Sequence, residues 1–402
     1  MAQGPRSTVG RSSSPASQAN GAPGSGGRLA AFVLGLFLAA IVLEVGLRVL
    51  RPIPIRVRGD DILLPRNVVY RIHNGAPSGL AGVLDEDLVH TKNSLGFRGP
   101  EPPADFEGAL TVVAIGGSTT ECFFLGDADA WPAQVGELLS KNFPKIWLNN
   151  AGLDGHSTFG HLELMRRYVS RLHPKFVTIL AGINDVFANE PNDYDNAPIE
   201  GMLSRLSRYS DIVALGMMAW RHERATEIRD LGAMPRPINL HDDIYHQPVA
   251  QSAAGGLRST TALESRVRAY RRRLEELVAL SRASGIEPIL VTQPALFGPA
   301  VDDVTGEDLG RLTTQFTEQQ SGAEMWAILE RFNDAMREVG RDRSVAVIDL
   351  ARLMPKSSRY YYDFLHFSKA GSAEVARIVS RQMCPILAGK APGQLSGACE
   401  TS

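Results

Sequence analysis

Ser118 follows an apolar run, Leu110 to Ile115, and two glycines, Gly116-Gly117. Near the other end of the chain, Asp363 and His366 stand three residues apart, with Phe367-Ser368 and an amphipathic stretch after them. A serine hydroxyl attacks carbonyls only when a base takes its proton. An imidazole serves as that base when a carboxylate fixes its tautomer and stabilises the imidazolium. Serine, histidine and aspartate are therefore the parts of nucleophilic acyl transfer, and glycines before the serine let a strand turn sharply and present it. Plainer readings exist for both segments. Ser118-Thr119-Thr120-Glu121 also fits a capping box. The stretch Asp349 to Gly371 also carries Arg352, Lys356, Arg359 and three consecutive tyrosines, which suit a polar turn.

Acyl transfer also needs donors for a developing oxyanion. Two segments offer them. Asn149-Asn150-Ala151-Gly152-Leu153-Asp154-Gly155-His156 follows the apolar Ile146 to Leu148, and its Asn-x-Gly-x-x-Gly pattern exposes backbone N–H groups in turns. Gly182-Ile183-Asn184-Asp185 follows Phe176 to Ala181 and adds a side-chain amide. His156, next to Gly155, is a candidate lining residue for the acyl pocket. His161, His241 and His246 lack partners at metal-ligand spacing, so no metal site is expected. His173, before Pro174, reads as a loop residue.

Positioning these residues requires a repeating scaffold. Apolar runs at Leu110–Ile115, Ile146–Leu148, Phe176–Leu180, Pro288–Thr292 and Val345–Leu350 are short and nearly continuous, as in parallel strands covered on both faces. Helical periodicity fills the gaps. Leu263, Val267, Tyr270, Leu274, Leu277 and Val278 mark one face of a helix stopping at Gly285, and Trp326, Leu329, Phe332 and Met336 mark another. The alternation predicts a three-layer α/β/α sandwich around a five-stranded parallel sheet. Residues 189–261, with five prolines and a helix-like piece near Met202–Trp220, interrupt the rhythm as an insertion or lid.

Residues 1–28 are rich in Ser, Gly, Ala and Pro, carry Arg6, Arg11 and Arg28 and have no acidic residue, which predicts a disordered tail. Leu29 to Leu43 is uninterrupted apolar sequence. It would rise about 22 Å as a helix, short of the hydrocarbon core, and reaches spanning length only through Glu44 and Arg48 to Leu50. Those two charges are four apart and can pair and snorkel. No small-x-small cleavage site follows, so 29–50 reads as an uncleaved transmembrane anchor with the basic tail cytoplasmic and the rest outside. Residues 52–108, with β-like pieces such as Ile53 to Val57, read as an extended arm. Its Asn93-Ser94-Leu95-Gly96-Phe97-Arg98-Gly99 is a turn that docks on the core. The catalytic region is expected at 109–390 and a C-terminal tail at 391–402. Cys122 reads as a small buried apolar residue. Cys384 and Cys399 could close the tail by a disulfide in an oxidising compartment, and spacing alone leaves this open. A 44% hydrophobic content and net charge of −2 over 402 residues give no sign of a nucleic-acid partner.

Together the four segments resemble the blocks of the SGNH (GDSL-like) hydrolase superfamily, in order and each after the appropriate strand, over roughly residues 110–383. The resemblance implies a flavodoxin-like fold, Ser118 as nucleophile, Asp363 and His366 as acid and base, and an oxyanion hole from Ser118, Gly155 and Asn184. The Asn93–Gly99 segment is similar to one found ahead of the nucleophile in membrane-anchored bacterial members. One departure is that the usual Gly-Asp-Ser is Gly116-Gly117-Ser118 here. The implied function is cofactor-free serine esterase or deacetylase activity at the outer face of a bacterial cytoplasmic membrane, on an acyl ester such as an O-acetylated glycan. Two rivals stay open: an O-acyltransferase for a surface polysaccharide, and a catalytically silent glycan- or envelope-binding module.

Overall fold

A computed structural model describes residues 25–50, 57–58, 61–73, 84–187, 202–229, 261–312 and 320–399. The chain divides into two units, Met1–Ile53 and Pro54–Ser402. In the first, α1 (Ser25–Leu50) is apolar around its whole circumference, with Glu44 and Arg48 paired at 2.7 Å. Its Gly26–Leu50 stretch has a mean hydropathy of 2.5 and is long and apolar enough to cross a membrane by length and composition.

The second unit begins with two small antiparallel ribbons. One joins β1 (Val57–Arg58) to β2 (Asp61–Ile62), and the other joins β3 (Val68–His73) to β4 (Asp87–Lys92). The main sheet then starts with β5 (Leu110–Gly116), buried at every position because both of its faces are covered. Next come α2 (Ser118–Glu121), α3 (Trp131–Ser140) and β6 (Ile146–Asn150). Then α4 (Thr158–Leu164) runs through a π turn, Met165–Val169, into α5 (Ser170–Leu172), ahead of β7 (Phe176–Ala181). The short α6 (Ile183–Phe187) is followed by α7 (Met202–Ser207) and α8 (Asp211–Arg229), so the helix expected near Met202–Trp220 is two helices. The remainder of the expected insertion lies largely outside the described residues, as does Ile53 to Arg56 of the arm.

The final elements are α9 (Thr261–Ala283), β8 (Glu287–Thr292), α10 (Gly322–Asp342), β9 (Ala346–Ile348), α11 (Leu350–Leu353) and α12 (Lys369–Lys390). The five strands are all parallel in the order β6-β5-β7-β8-β9, giving the expected three-layer sandwich. Because β5 leads outward to β6 while the later strands add on the other side, right-handed crossovers send helices to opposite faces. Thus α3 packs on α12, and α9 packs on α4 and α10. The predicted apolar faces are realised: α9 buries Leu263, Tyr270, Leu274, Leu277 and Val278, and α10 buries Leu329, Phe332 and Met336. Trp326 is half-buried, with the Lys356 ammonium 3.3 Å above its ring. The last strand is shorter than its apolar run because Asp349 leaves it to bond Thr292 and Arg337. A disulfide joins Cys384 of α12 to Cys399.

Candidate active site

In an open parallel sheet, ligands bind beyond the carboxyl ends of the strands, where the strand order reverses. Here that point lies between β5 and β7. Ser118 follows the first of these strands and Asn184 the second, so the topology sets them side by side. The turn after β5 is tight. A Cβ on Gly116 would lie 2.1 Å from Thr120 Oγ1 and 3.1 Å from Leu180 O. One on Gly117 would lie 2.6 Å from Asn184 Nδ2 and 3.0 Å from His156 O. A side chain at the position where Gly-Asp-Ser is usual would therefore crowd the Asn184 amide and the His156 carbonyl.

Ser118 Oγ and His366 Nε2 are 2.7 Å apart, and His366 Nδ1 lies 2.6 Å from Asp363 Oδ2. The other carboxylate oxygen, Oδ1, accepts the backbone N–H groups of Leu365 (2.8 Å) and His366 (2.6 Å), so the turn itself orients Asp363. That turn is closed by a Tyr361–Phe367 bridge and by a bond from Tyr362 N–H to His366 O, and Leu296 N–H ties it to the loop after β8. The Tyr362 ring stacks on the imidazole, 5.5 Å between centroids and 10° between planes. Burial works to lower the His366 pKa, but the charge and hydrogen bond of Asp363, with a smaller contribution from Asp154, raise it above 6.5.

The N–H groups of Ser118 and Gly155 make no hydrogen bond among the described residues. Gly155 is held at φ +72°, a left-handed conformation that favours glycine. Asn184 donates one N–H to His156 O at 2.9 Å. Its neighbour Asp185 is buried and anchors α6: the carboxylate accepts Thr158 N–H and Oγ1–H and pairs with Arg273 at 3.1 Å. Arg273 also bonds Thr158 Oγ1 at 2.6 Å and lies over the Phe159 ring. Removing one partner of a buried ion pair strands the other charge, so Arg273→Met is expected to cost about 3–5 kcal/mol. Denaturant titration beside the wild-type chain checks this, and an unchanged midpoint would refute it.

The structure brings Ser118, Asp363 and His366 together and sets Asn184 against the Gly117 backbone. Ser118 is not a cap: Gly117 occupies the N-cap position with no side-chain bond, and Glu121 turns away to Lys92 and to Asp154 N–H. His156 is buried beside His161, with ring centroids 6.3 Å apart. Burial, then the neighbouring His156, push the His161 pKa down to about 3, so it is neutral. His173 is a loop residue bonding Ser284 O, while His241 and His246 lie outside the described residues. Cys122 is buried and free, its thiol pushed up to about 11 chiefly by burial. Three residues near the site escaped the sequence reading: Lys92, Tyr362 and Gln293, whose Oε1 accepts from Thr119 Oγ1 at 3.4 Å.

Among solved structures, an alpha/beta hydrolase from the metagenome of Lake Arreo, Spain, is 17% identical, covering 69% of this chain and 96% of its own, with a TM-score of 0.40. A protein of the G-D-S-L lipolytic family from Desulfitobacterium hafniense is 15% identical over 68% of this chain and 99% of its own, TM-score 0.38. An acetylxylan esterase from Geobacillus stearothermophilus is 17% identical over 68% and 93%, TM-score 0.38. No curated protein matches the sequence. The model of the GDSL-like lipase/acylhydrolase family matches residues 114–373, more than half of the chain and from within β5 to the start of α12. The chain therefore belongs to the GDSL-like lipase/acylhydrolase family, a family of serine ester hydrolases.

Proposed function

We propose that the chain is an acyl-ester hydrolase, held at the outer face of a membrane by α1, that works through Ser118, His366 and Asp363. The observation that carries this is the unbroken series Ser118 Oγ–His366–Asp363 at 2.7 and 2.6 Å. His366 Nε2 takes the Ser118 proton as Oγ attacks the ester carbonyl. It then protonates the leaving alcohol oxygen, so the C–O ester bond breaks and an acyl-serine remains. Water, deprotonated by the same nitrogen, attacks that acyl carbon and releases the acid, returning the proton to Ser118. Asp363 holds the imidazole with its proton on Nδ1 and balances the charge that forms. The N–H groups of Ser118 and Gly155 and the Asn184 amide receive the oxyanion. Losing one such donor commonly costs about 10²–10³-fold, so Asn184→Ala should lose that much in kcat and stay folded. Unchanged turnover would remove Asn184 from the mechanism.

The location rests on the hydropathy of Gly26–Leu50, on a basic first segment, and on the Cys384–Cys399 disulfide, which suits an oxidising compartment. The substrate class is a small acyl ester, with an O-acetylated glycan as the leading example. The deciding experiment is acetate release by the detergent-solubilised full chain from p-nitrophenyl acetate and acetylated xylan, with Ser118→Ala alongside. Serine-dependent release supports hydrolysis. A folded chain that releases none overturns it, and addition of sugar acceptors then tests acyl transfer. Absence of labelling at Ser118 by a fluorophosphonate would leave a binding module.

A further inference from the structure

The turn Asn93–Gly99 and the end of β4 lie outside the four blocks, yet they are built into the back of the site. Asn93 satisfies the turn from within, accepting Leu95 and Phe97 N–H on Oδ1, and reaches Asn149 Oδ1 at 2.7 Å. Arg98 then pairs its backbone with Asn150 at the outer edge of β6, by bonds of 2.8 and 2.9 Å. Its buried guanidinium donates to the carbonyls of Glu121 (2.9 Å), Cys122 (2.8 Å) and Leu125, and to Asp127 at 2.7 Å. The Glu121 and Cys122 carbonyls end the helix that starts at Ser118. Lys92 is also buried, and its ammonium lies 2.9 Å from Glu121 Oε1. Glu121 Oε2 accepts the Asp154 N–H at 2.6 Å, one residue before Gly155. Burial works to raise the Glu121 pKa, but Lys92 above all, with His90 and the Asp154 N–H, holds the carboxyl below its usual range. Glu121 is therefore an anion with one oxygen on the arm and one on the Gly155 loop.

We propose that the arm is a working part of the ester-cleaving centre, in which Lys92, acting through Glu121, is a positioning residue for the Gly155 N–H. This inference rests on the proposed oxyanion role of Gly155. Lys92 touches no reacting atom. Its charge keeps Glu121 ionised and aimed, and Glu121 keeps the loop that presents Gly155 at its left-handed φ. Arg98 performs the matching task for the far end of the Ser118 helix.

The test compares Lys92→Met, Lys92→Arg and Glu121→Gln in the solubilised full chain, with Arg337→Met as control. Among the described residues, Arg337 bonds Asp349, Glu330 and Asp334 and shares no partner with Lys92 or Glu121, so its loss lowers stability without removing the contacts under test. A misplacement of about 1 Å can cost about 10²-fold. Lys92→Met should therefore lose about 10–10²-fold in kcat with KM nearly unchanged, and Lys92→Arg should recover most of that. Hydrogen exchange in segment 151–157 should quicken in Lys92→Met and not in Arg337→Met. Loss of stability with kcat and exchange unchanged in Lys92→Met overturns the proposal. If Lys92→Met does not fold, Glu121→Gln decides on the same two readouts. A wild-type chain without Ser118-dependent turnover instead overturns the reading of the site, and exchange in 151–157 still tests the positioning.

Discussion

Ser118→Ala is expected to cut ester hydrolysis by about 10⁴-fold or more while leaving thermal stability unchanged. Among the described residues the half-buried side chain makes one hydrogen bond, to His366, so its removal costs the fold little. Without Oγ no acyl-enzyme can form, and any activity left would come from water attacking an ester still held in the oxyanion hole. Initial rates on p-nitrophenyl acetate, with melting curves for both chains, provide the check. A variant that kept a tenth of the wild-type rate would show that Ser118 is not the nucleophile.

Asp363→Asn is expected to be nearly as damaging, about 10⁴-fold at neutral pH, and for a geometric reason. Oδ1 of Asp363 already accepts two backbone N–H groups, from Leu365 and His366. An amide at this position must put its carbonyl there, which turns its NH₂ toward His366 Nδ1. That nitrogen then has to accept, the imidazole proton moves to Nε2, and the base for Ser118 is gone. The pH profile carries a second signature. Only neutral His366 can accept the serine proton, so wild-type kcat/KM should rise with pH through a midpoint above 6.5, the direction in which Asp363 moves this histidine. In the variant the charge and the hydrogen bond that raise the pKa are lost while burial still lowers it, so the midpoint should fall. Profiles with the same midpoint would show that Asp363 does not govern the base.

The strand-and-helix frame was legible because a parallel sheet covered on both faces leaves continuous apolar runs, as in Leu110–Ile115 and Phe176–Leu180. The parts of the proposed acyl-transfer centre were legible because each sits at a strand end with glycines or a short Asp-x-x-His turn. What escaped was any partner set by tertiary packing. Lys92 and Glu121 are 29 residues apart, and nothing in either neighbourhood marks them as an ion pair. Glu121 three residues after Ser118 has the spacing of a capping box, and the docked arm together with the Asp154 N–H draws it elsewhere. Tyr362, one of three consecutive tyrosines, reads as part of a polar turn until that turn folds it over His366. The strand at Val345–Leu350 ended early because Asp349 found Arg337 and Thr292, partners visible only once the layers meet.

Ser118 and His366 are separated by 248 positions, and only the folded sheet with its docked turn brings them into contact. Ser118, the proposed nucleophile, emerges from the ribosome early in the GDSL-like region and His366, its proposed base, near that region's end. At ordinary elongation rates of about 5–20 residues per second, tens of seconds pass between them. Throughout that interval the Ser118 hydroxyl would lack the imidazole proposed to take its proton. On the proposed mechanism, ester cleavage would begin only once the Asp363–His366 turn has docked on the sheet, so turnover would report completed folding.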